Sequence, residues 1–290
     1  MSHYDPSLLA PITGLKLLRL GRNKDGGYVI PQVCLSASQY LLSAGIYTDW
    51  SFEDQFISLS QSLGYLLIDP TTSIRTLFAD TARMVVQSNC SPYSKLLKSS
   101  HLIYNLFRVP IMRRRYGSSF VEYFLSPSRL PDISNKLSTE ISIPASLEKL
   151  GIDTCSSLHH ASTFLKIDIE GSEYELASDL VSYSQFFSGI ALEVHDLDNR
   201  YEEFSDLMKS LHAAGFLVAH CHPNNSGGVI EGTRLPRLLE ITFVNKSLLG
   251  SSDHYSKSPP FLYRVGLDFP CDPRLPELEV SMITVDPKTR

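Results

Sequence analysis

The strongest signal along the chain is a repeated switch between short apolar runs and amphipathic stretches of helical period. Residues Tyr40 to Ser43 form an apolar run ending in Ala44-Gly45, after which Phe52, Phe56, Leu59 and Leu63 recur at helical spacing up to Gly64. Tyr65 to Ile68 then read as a buried strand closed by Asp69-Pro70. Such a βαβ unit predicts two parallel strands with a right-handed crossover. It places Gly45 and Asp69 on the same sheet edge, the edge at which ligands of such sheets bind.

The alternation continues downstream. Thr163 to Ile169 predicts a third parallel strand, Glu173 to Val181 a helix, and Gly189 to Val194 a fourth strand. Tyr201, Phe204, Leu207, Met208 and Leu211 mark an amphipathic helix stopped near Gly215, and Phe216 to Cys221 the next strand. The last strand, Leu239 to Val244, follows a connection rich in Pro, Asn and Gly with no helical pattern, which predicts an antiparallel pair at the sheet edge. The expected fold is α/β: a Rossmann-like, doubly wound, mostly parallel sheet ending in an antiparallel hairpin. Residues 1–250 are expected to form this domain, with 72–135 holding an inserted helical cap and 251–290 a C-terminal extension.

Composition narrows the class. Of 290 residues, 43% are hydrophobic and 20% charged, which suits a globular chain and excludes wholesale disorder. The 26 Lys and Arg against 31 Asp and Glu give a net charge of -5, which argues against a protein that coats nucleic acid. Positions 81 to 121 form a local exception: Arg83, Lys95, Lys98, Arg108, Arg113, Arg114 and Arg115 with no acidic residue. That island reads as the solvated face of the cap, a lid over an anionic substrate, or a peripheral membrane contact, with nucleic acid the least favoured partner.

Cysteines at 34, 90, 155, 221 and 271 are odd in number and form no CxxC pair, so no disulfide framework is encoded and a reducing compartment is expected. Met1 to Leu9 lack the pattern of an export signal, and no apolar run approaches the roughly 20 residues that span a bilayer. A cytoplasmic location is the expectation.

Four segments converge at the carboxyl ends of the predicted strands: 45–52, Asp69, 168–171 and 193–196. The first loop has a single glycine and no GxGxxG, which disfavours a dinucleotide. Asp69 stands where a carboxylate accepts both ribose hydroxyls of a smaller nucleoside. His195 follows its strand at the ligand edge and is the candidate general base. Asp168, Glu170, Glu193, His195 and His222 offer oxygen and imidazole donors of the kind that hold a divalent cation. His220 and His222 share a strand parity and read as partly exposed edge residues, while Lys166, inside an apolar strand, reads as an ion-pair partner or a pocket residue.

The segment Lys166-Ile-Asp-Ile-Glu-Gly-Ser-Glu173 resembles the hallmark of the FkbM family of S-adenosylmethionine-dependent methyltransferases. Agreement continues in order through Asp25-Gly-Gly-Tyr28, Ser43-Ala-Gly-Ile46, Ser51-Phe-Glu53, Ile68-Asp-Pro-Thr71, Leu192-Glu-Val-His195 and Leu239-Glu-Ile-Thr-Phe-Val244. The resemblance covers roughly residues 17 to 246 and departs from the family's fuller glycine motif at Gly45-Ile-Tyr-Thr-Asp49. It implies the class I methyltransferase fold and S-adenosylmethionine as cofactor. Gly45, Asp49, Ser51, Phe52 and Glu53 would surround the methionine half, with Ser43 and Asp168 beside them and Asp69 on the ribose. It further implies a hydroxyl acceptor on a sugar, glycan or other small molecule, with Asp25-Gly-Gly-Tyr28 capping the substrate. Within that reading His195, Asp168 and Glu170 are the catalytic candidates, and a divalent metal on Asp168, Glu193, His195 and His222 stays open. The alternatives are a nucleotide-dependent oxidoreductase or nucleotide-sugar enzyme on a related sheet, and a non-catalytic binding protein that keeps the fold.

Overall fold

The computed structural model describes residues 6–47, 49–60, 64–71, 108–128, 140–155, 160–231, 233, 235–250 and 255–278. Strands β1 (Leu17–Leu20) and β2 (Tyr28–Pro31) form an antiparallel hairpin, followed by α1 (Gln32–Ala37). Next come β3 (Tyr40–Ala44), α2 (Ser51–Leu59) and β4 (Gly64–Ile68). A helical run over 108–116 leads to β5 (Phe120–Val121), and β6 (Phe124–Leu125) pairs with β7 (Glu140–Ile141) ahead of α3 (Ile143–Lys149). The second half holds β8 (Thr163–Ile167), α4 (Ala177–Ser182), β9 (Phe187–Val194), α5 (Tyr201–Ala213), β10 (Phe216–Pro223) and β11 (Leu239–Asn245).

Seven strands make one sheet in the order β10-β11-β9-β8-β3-β4-β5. All neighbours are parallel except β11, which runs antiparallel to both β9 and β10, so the anticipated terminal hairpin is present. From β3 the chain winds outward through β4 and β5, then returns to the other side of β3 as β8 and β9. The winding therefore reverses between β3 and β8, and the carboxyl ends of those two strands open a crevice.

Strand alternation sends successive side chains to opposite faces. On one face Leu42, Ala44, Leu165, Ile167, Ile190 and Leu192 pack with Leu180 of α4 and with Phe204, Leu207, Met208 and Leu211 of α5. The spacing i, i+3, i+4, i+7 on α5 is what puts those four side chains in one stripe, each contributing roughly 1.5–3 kcal/mol by burial. On the other face Leu41, Leu67, Phe164 and Ala191 pack with Phe52 and Phe56 of α2, Cys34 of α1, and Tyr28 and Ile30 of β2. This is the Rossmann-like doubly wound α/β architecture.

Several boundaries differ from the sequence expectations. β8 stops at Ile167 rather than Ile169: its last bond to β3 runs from the Asp168 N–H to the Ala44 carbonyl at 3.0 Å, after which the chain turns through positive φ at Glu170 and Gly171. The helix expected over Glu173 to Val181 begins as a 3₁₀ turn, Glu173–Leu176. The β1–β2 hairpin and α1 were legible only as a turn leading into Val29-Ile30.

Most of the expected basic cap, including Arg83, Lys95 and Lys98, lies outside the described residues. Within 108–116, Met112 and Tyr116 are buried, Arg108 stacks on the Trp50 ring at 4.0 Å, and Arg115 pairs with Asp54 at 2.9 Å. Two cations of the island thus help to hold this helix against α2. No helix of the described residues is long and apolar enough to cross a membrane. Residues 255–278 fold back on the domain, bridging Ile12 with Lys257 and taking the Arg19 guanidinium on the Leu267 carbonyl at 3.0 Å.

Candidate functional site

At the reversal point, Gly45 turns the chain with φ 77°, and a Cβ there would lie 1.4 Å from the Asp168 carbonyl oxygen. Only glycine fits. The close approach that this glycine allows is between the ends of β3 and β8, not toward a phosphate.

Above this junction lies a cavity of about 750 Å³, a volume suited to a cofactor-sized ligand. Its walls come from the β1–β2 turn (Arg22, Lys24, Asp25, Gly26, Tyr28), the start of α2 and the loop before it (Gly45, Asp49, Phe52, Glu53), the end of β8 (Lys166, Asp168, Glu170), Arg108, and the C-terminal segment (Cys271, Asp272, Arg274). Acidic and basic side chains alternate around it. Such a lining suits a zwitterionic ligand better than a polyanion.

The floor is a polar layer on the face shared with Phe164 and Ala191. Moving one residue pair at a time across the sheet, Ser43 is in register with Lys166, and Glu193 with Glu240 and His222. Lys166, 4% exposed, donates to the Gly45 carbonyl and lies 3.4 Å from Asp168 Oδ2. Burial works against its charge, but Asp168, Glu53 and Glu193 outweigh burial and raise its pKa. The Tyr28 hydroxyl lies 3.0 Å from Asp168 Oδ2 and 3.3 Å from Glu193 Oε2. One hydroxyl proton cannot serve two carboxylates. Burial, then repulsion from Asp168 and Glu240, pushes the Glu193 pKa well up, so a proton on Glu193 lets it donate to Tyr28 while Tyr28 donates to Asp168.

Glu53 is 1% exposed; its Oε1 accepts the Ser43 hydroxyl at 2.6 Å, and its Oε2 has no hydrogen-bond partner among the described residues. It stands in the first turn of α2 together with Asp54. In dinucleotide-binding sheets this helix end receives the pyrophosphate. Here it presents carboxylates instead, and a buried acceptor without a partner asks for a cationic or N–H-bearing ligand group.

Of the residues expected around a cofactor, Gly45, Asp49, Phe52, Glu53 and Asp168 reach the cavity wall. Asp49 there pairs with Arg22 at 3.2 Å. Ser43 and Ser51 lie beneath the wall: the first holds Glu53, and the second gives its backbone N–H to Asp49 Oδ1 at 3.1 Å. Asp69 also stands off the wall. Its Oδ2 accepts the backbone N–H groups of Ile46 and Tyr47, and its Oδ1 accepts the Thr71 N–H and hydroxyl at 2.7 and 2.6 Å. In this arrangement both oxygens of Asp69 anchor the first loop.

His195 likewise sits behind the wall while Asp168 and Glu170 line it. Glu173 Oε1 accepts the His195 backbone N–H at 2.7 Å and lies 3.2 Å from ring Nδ1, which places the ring proton on Nδ1. Nε2 then faces Glu170 at 3.6 Å and Asp168 at 4.0 Å. Burial opposes the charged ring, but Glu173 and then Asp168 and Glu170 hold its pKa above the usual value. The ring thus sits among three acids, with Nε2 turned toward Asp168 and Glu170. Sequence reasoning missed Asp25, which opens to the cavity and is raised to about 6 by burial and by repulsion from Asp168 and Glu240. Its only sequence signal was the Asp25-Gly-Gly-Tyr28 turn.

The four expected metal candidates do not meet at one point. Asp168 and His195 gather with Glu170, Glu193 with Asp25 and Glu240, and His222 with Glu240 and Cys271. Nor are His220 and His222 partly exposed: at 3% and 2% they are buried, because the C-terminal segment covers the strand and sets Asp268 2.9 Å from His220.

No protein-family model and no curated protein sequence matches this chain. Distant matches among solved structures include a protein of Thermoplasma acidophilum assigned to the methyltransferases, at 9% identity over 73% of this chain and 70% of that one, TM-score 0.31. M. jannaschii TYW2 in complex with AdoMet matches at 9% identity over 74% and 73%, TM-score 0.27. A 16S rRNA (adenine(1408)-N(1))-methyltransferase variant from Catenulisporales acidiphilia matches at 12% identity over 83% and 100%, TM-score 0.30. At this distance the fold assignment rests on strand order and register.

Proposed function

We propose that this chain is an S-adenosylmethionine-dependent methyltransferase of the FkbM type, acting on a hydroxyl of a sugar or other small molecule. The observation that carries the reading is Glu53, a buried carboxylate with one unpartnered oxygen at the α2 N-terminus, on the wall of an amphoteric cavity. That helix end repels a pyrophosphate and attracts an ammonium or sulfonium group, which separates this reading from a nucleotide-dependent oxidoreductase. Bound S-adenosylmethionine supplies an electrophilic methyl group on a positively charged sulfur.

The chain's own residues supply the rest. Glu53 and Asp49 take the cationic part of the ligand, and Arg22 or Arg108 stands near for its carboxylate. Tyr28 holds Asp168 in place from the floor, and His195 steadies Asp168 and Glu170 from behind. A hydroxyl acceptor must lose its proton as the methyl arrives, and Asp25, with a pKa near 6, is poised to receive it.

Calorimetric titration with S-adenosylhomocysteine and with NAD tests the reading. Binding of the first and not the second is expected, followed by methyl transfer from labelled S-adenosylmethionine to members of a hydroxyl-compound panel. Binding of NAD alone refutes the cofactor assignment, and binding without transfer to any acceptor favours a non-catalytic protein.

A further inference from the structure

At the antiparallel end of the sheet, the polar floor runs on into a second set of donors. His222 on β10 faces Glu240 on β11, and Cys271 of the C-terminal segment closes over both. Their exposures are 2%, 4% and 3%. His222 Nδ1 lies 3.6 Å from Glu240 Oε2, and Cys271 Sγ lies 3.3 Å from Glu240 Oε1. Among the described residues neither ring nitrogen of His222 makes a well-formed hydrogen bond, and the buried imidazole stands between the carboxylates of Glu240 and Glu277 at ion-pair distance.

We infer that His222 Nδ1, Glu240 and the Cys271 thiolate form a binding site for a zinc-class divalent cation. Tetrahedral bonds of about 2.0 Å to nitrogen and oxygen and about 2.3 Å to sulfur set donors roughly 3.3–3.5 Å apart. His222 Nδ1 and Cys271 Sγ stand 3.6 and 3.3 Å from the two oxygens of Glu240, and one donor atom from each residue lies within 4.8 Å of the others, so small side-chain rotations bring the three onto one ion. A nitrogen, oxygen and sulfur set favours zinc-class ions over magnesium or calcium. The outer shell fits as well: Glu277 Oε2, also without a hydrogen-bond partner, stands 3.4 Å from His222 Nε2 on the far side of the ring. A carboxylate there receives the Nε2 proton and fixes the tautomer that leaves Nδ1 for the metal. On coordination the Cys271 thiol gives its proton to solvent. The ion would tie the C-terminal segment to β10 and β11 and so hold the cavity wall to which Cys271 and Asp272 belong.

The test uses the full-length protein, stripped with a chelator and titrated with Co²⁺ and then Zn²⁺. One equivalent of Co²⁺ is expected to give thiolate-to-cobalt charge transfer and tetrahedral visible bands, which Zn²⁺ abolishes while raising the melting temperature. Cys271→Ser should remove the charge-transfer band, and Glu277→Gln, which leaves all three ligands in place, should weaken Zn²⁺ binding about tenfold or more. Failure of the wild-type protein to bind Co²⁺ at micromolar concentration overturns the site and leaves His222 as a proton carrier between Glu240 and Glu277. Survival of the charge-transfer band in Cys271→Ser overturns it too, since the sulfur would then be another cysteine.

Discussion

Asp69 Oδ2 accepts the backbone N–H of Ile46 at 2.8 Å, fastening the loop that leaves β3 to the end of β4. The Tyr47 N–H joins the same oxygen, and Tyr47 itself sits at φ 47°, a costly conformation for a side chain with a Cβ. Asp69→Ala would strand these donors, at a cost of about 2–4 kcal/mol. The melting temperature of the ligand-free protein should drop by roughly 5–10 °C, and affinity for S-adenosylhomocysteine should fall with the order of the loop. A role confined to ribose binding predicts loss of affinity with no change in ligand-free melting, and thermal unfolding without ligand separates the two.

A ligand cation on Glu53, as proposed, makes binding a proton-linked event. Burial raises its pKa, partly opposed by Lys166 and the Ser43 hydrogen bond. A cationic ligand beside it favours the ionised form, so binding should expel a proton and affinity should rise with pH until the pH passes the raised pKa. Calorimetric enthalpies for S-adenosylhomocysteine measured in buffers of different ionisation enthalpy should therefore differ. In Glu53→Gln the buffer dependence should vanish and affinity should fall about ten- to a hundredfold, the worth of a hydrogen bond to a charged group. Buffer-independent heats in the wild-type protein would remove Glu53 from the ligand's contacts.

The sheet was legible in the sequence because each strand pairs an apolar period-two face with a punctuating Gly, Asp or Pro. Phe164, Lys166 and Asp168 alternate with Leu165 and Ile167, so the polar floor was written there as well, with Ala191 and Glu193 repeating the pattern. What alternation does not say is what covers a face. Lys166, Glu193 and His222 are polar residues in core strands, and they stay buried only because the β1–β2 turn and residues 264–278 lie over them. Those covers are held by contacts far apart in sequence, such as the Asp25 N–H to the Cys271 carbonyl at 3.1 Å and the Asn225 side chain on the Asp272 carbonyl at 3.0 Å. No local pattern encodes such a contact. The place of Asp69 at the strand end was legible too, whereas the loop N–H groups that it accepts are set by the turn at Gly45.

Asp25 should trade stability for activity. A carboxyl raised to about 6 is held neutral in the fold at low pH, and that favourable state is lost as pH rises through 6, where the charge meets Asp168 and Glu240. A shift from 3.8 to about 6 corresponds to about 3 kcal/mol at most. Asp25 opens to the cavity, so screening reduces that to about 1 kcal/mol. Chelator-treated Asp25→Asn should therefore be more stable than wild type by about 1 kcal/mol at pH 8 and equal to it near pH 4, read by urea unfolding. Methyl transfer should slow on the order of 10²- to 10⁴-fold with S-adenosylhomocysteine affinity retained. An Asp25→Asn protein of undiminished turnover would hand the proton to another group.

Glu173 joins the two strand ends that frame Asp168 and Glu170. Its side chain is fully buried; Oε2 accepts the Gly171 N–H at 2.8 Å and Oε1 the His195 N–H at 2.7 Å, with the His195 ring on the same oxygen. In Glu173→Gln one of those backbone donors must face an amide NH₂, so about 1–3 kcal/mol of stability should be lost. The ring of His195 also loses the carboxylate that does most to raise its pKa, leaving burial to pull it down. A histidine raised in the fold contributes stability that is full below pH 6.5 and disappears as pH rises through the folded value. The difference in stability between wild type and Glu173→Gln should accordingly be larger at pH 6 than at pH 9, and the His195 ring resonances should titrate at lower pH in the variant. Equal ring titration in the two proteins would mean that Asp168 and Glu170 alone hold the imidazole charged, and that Glu173 serves only the backbone.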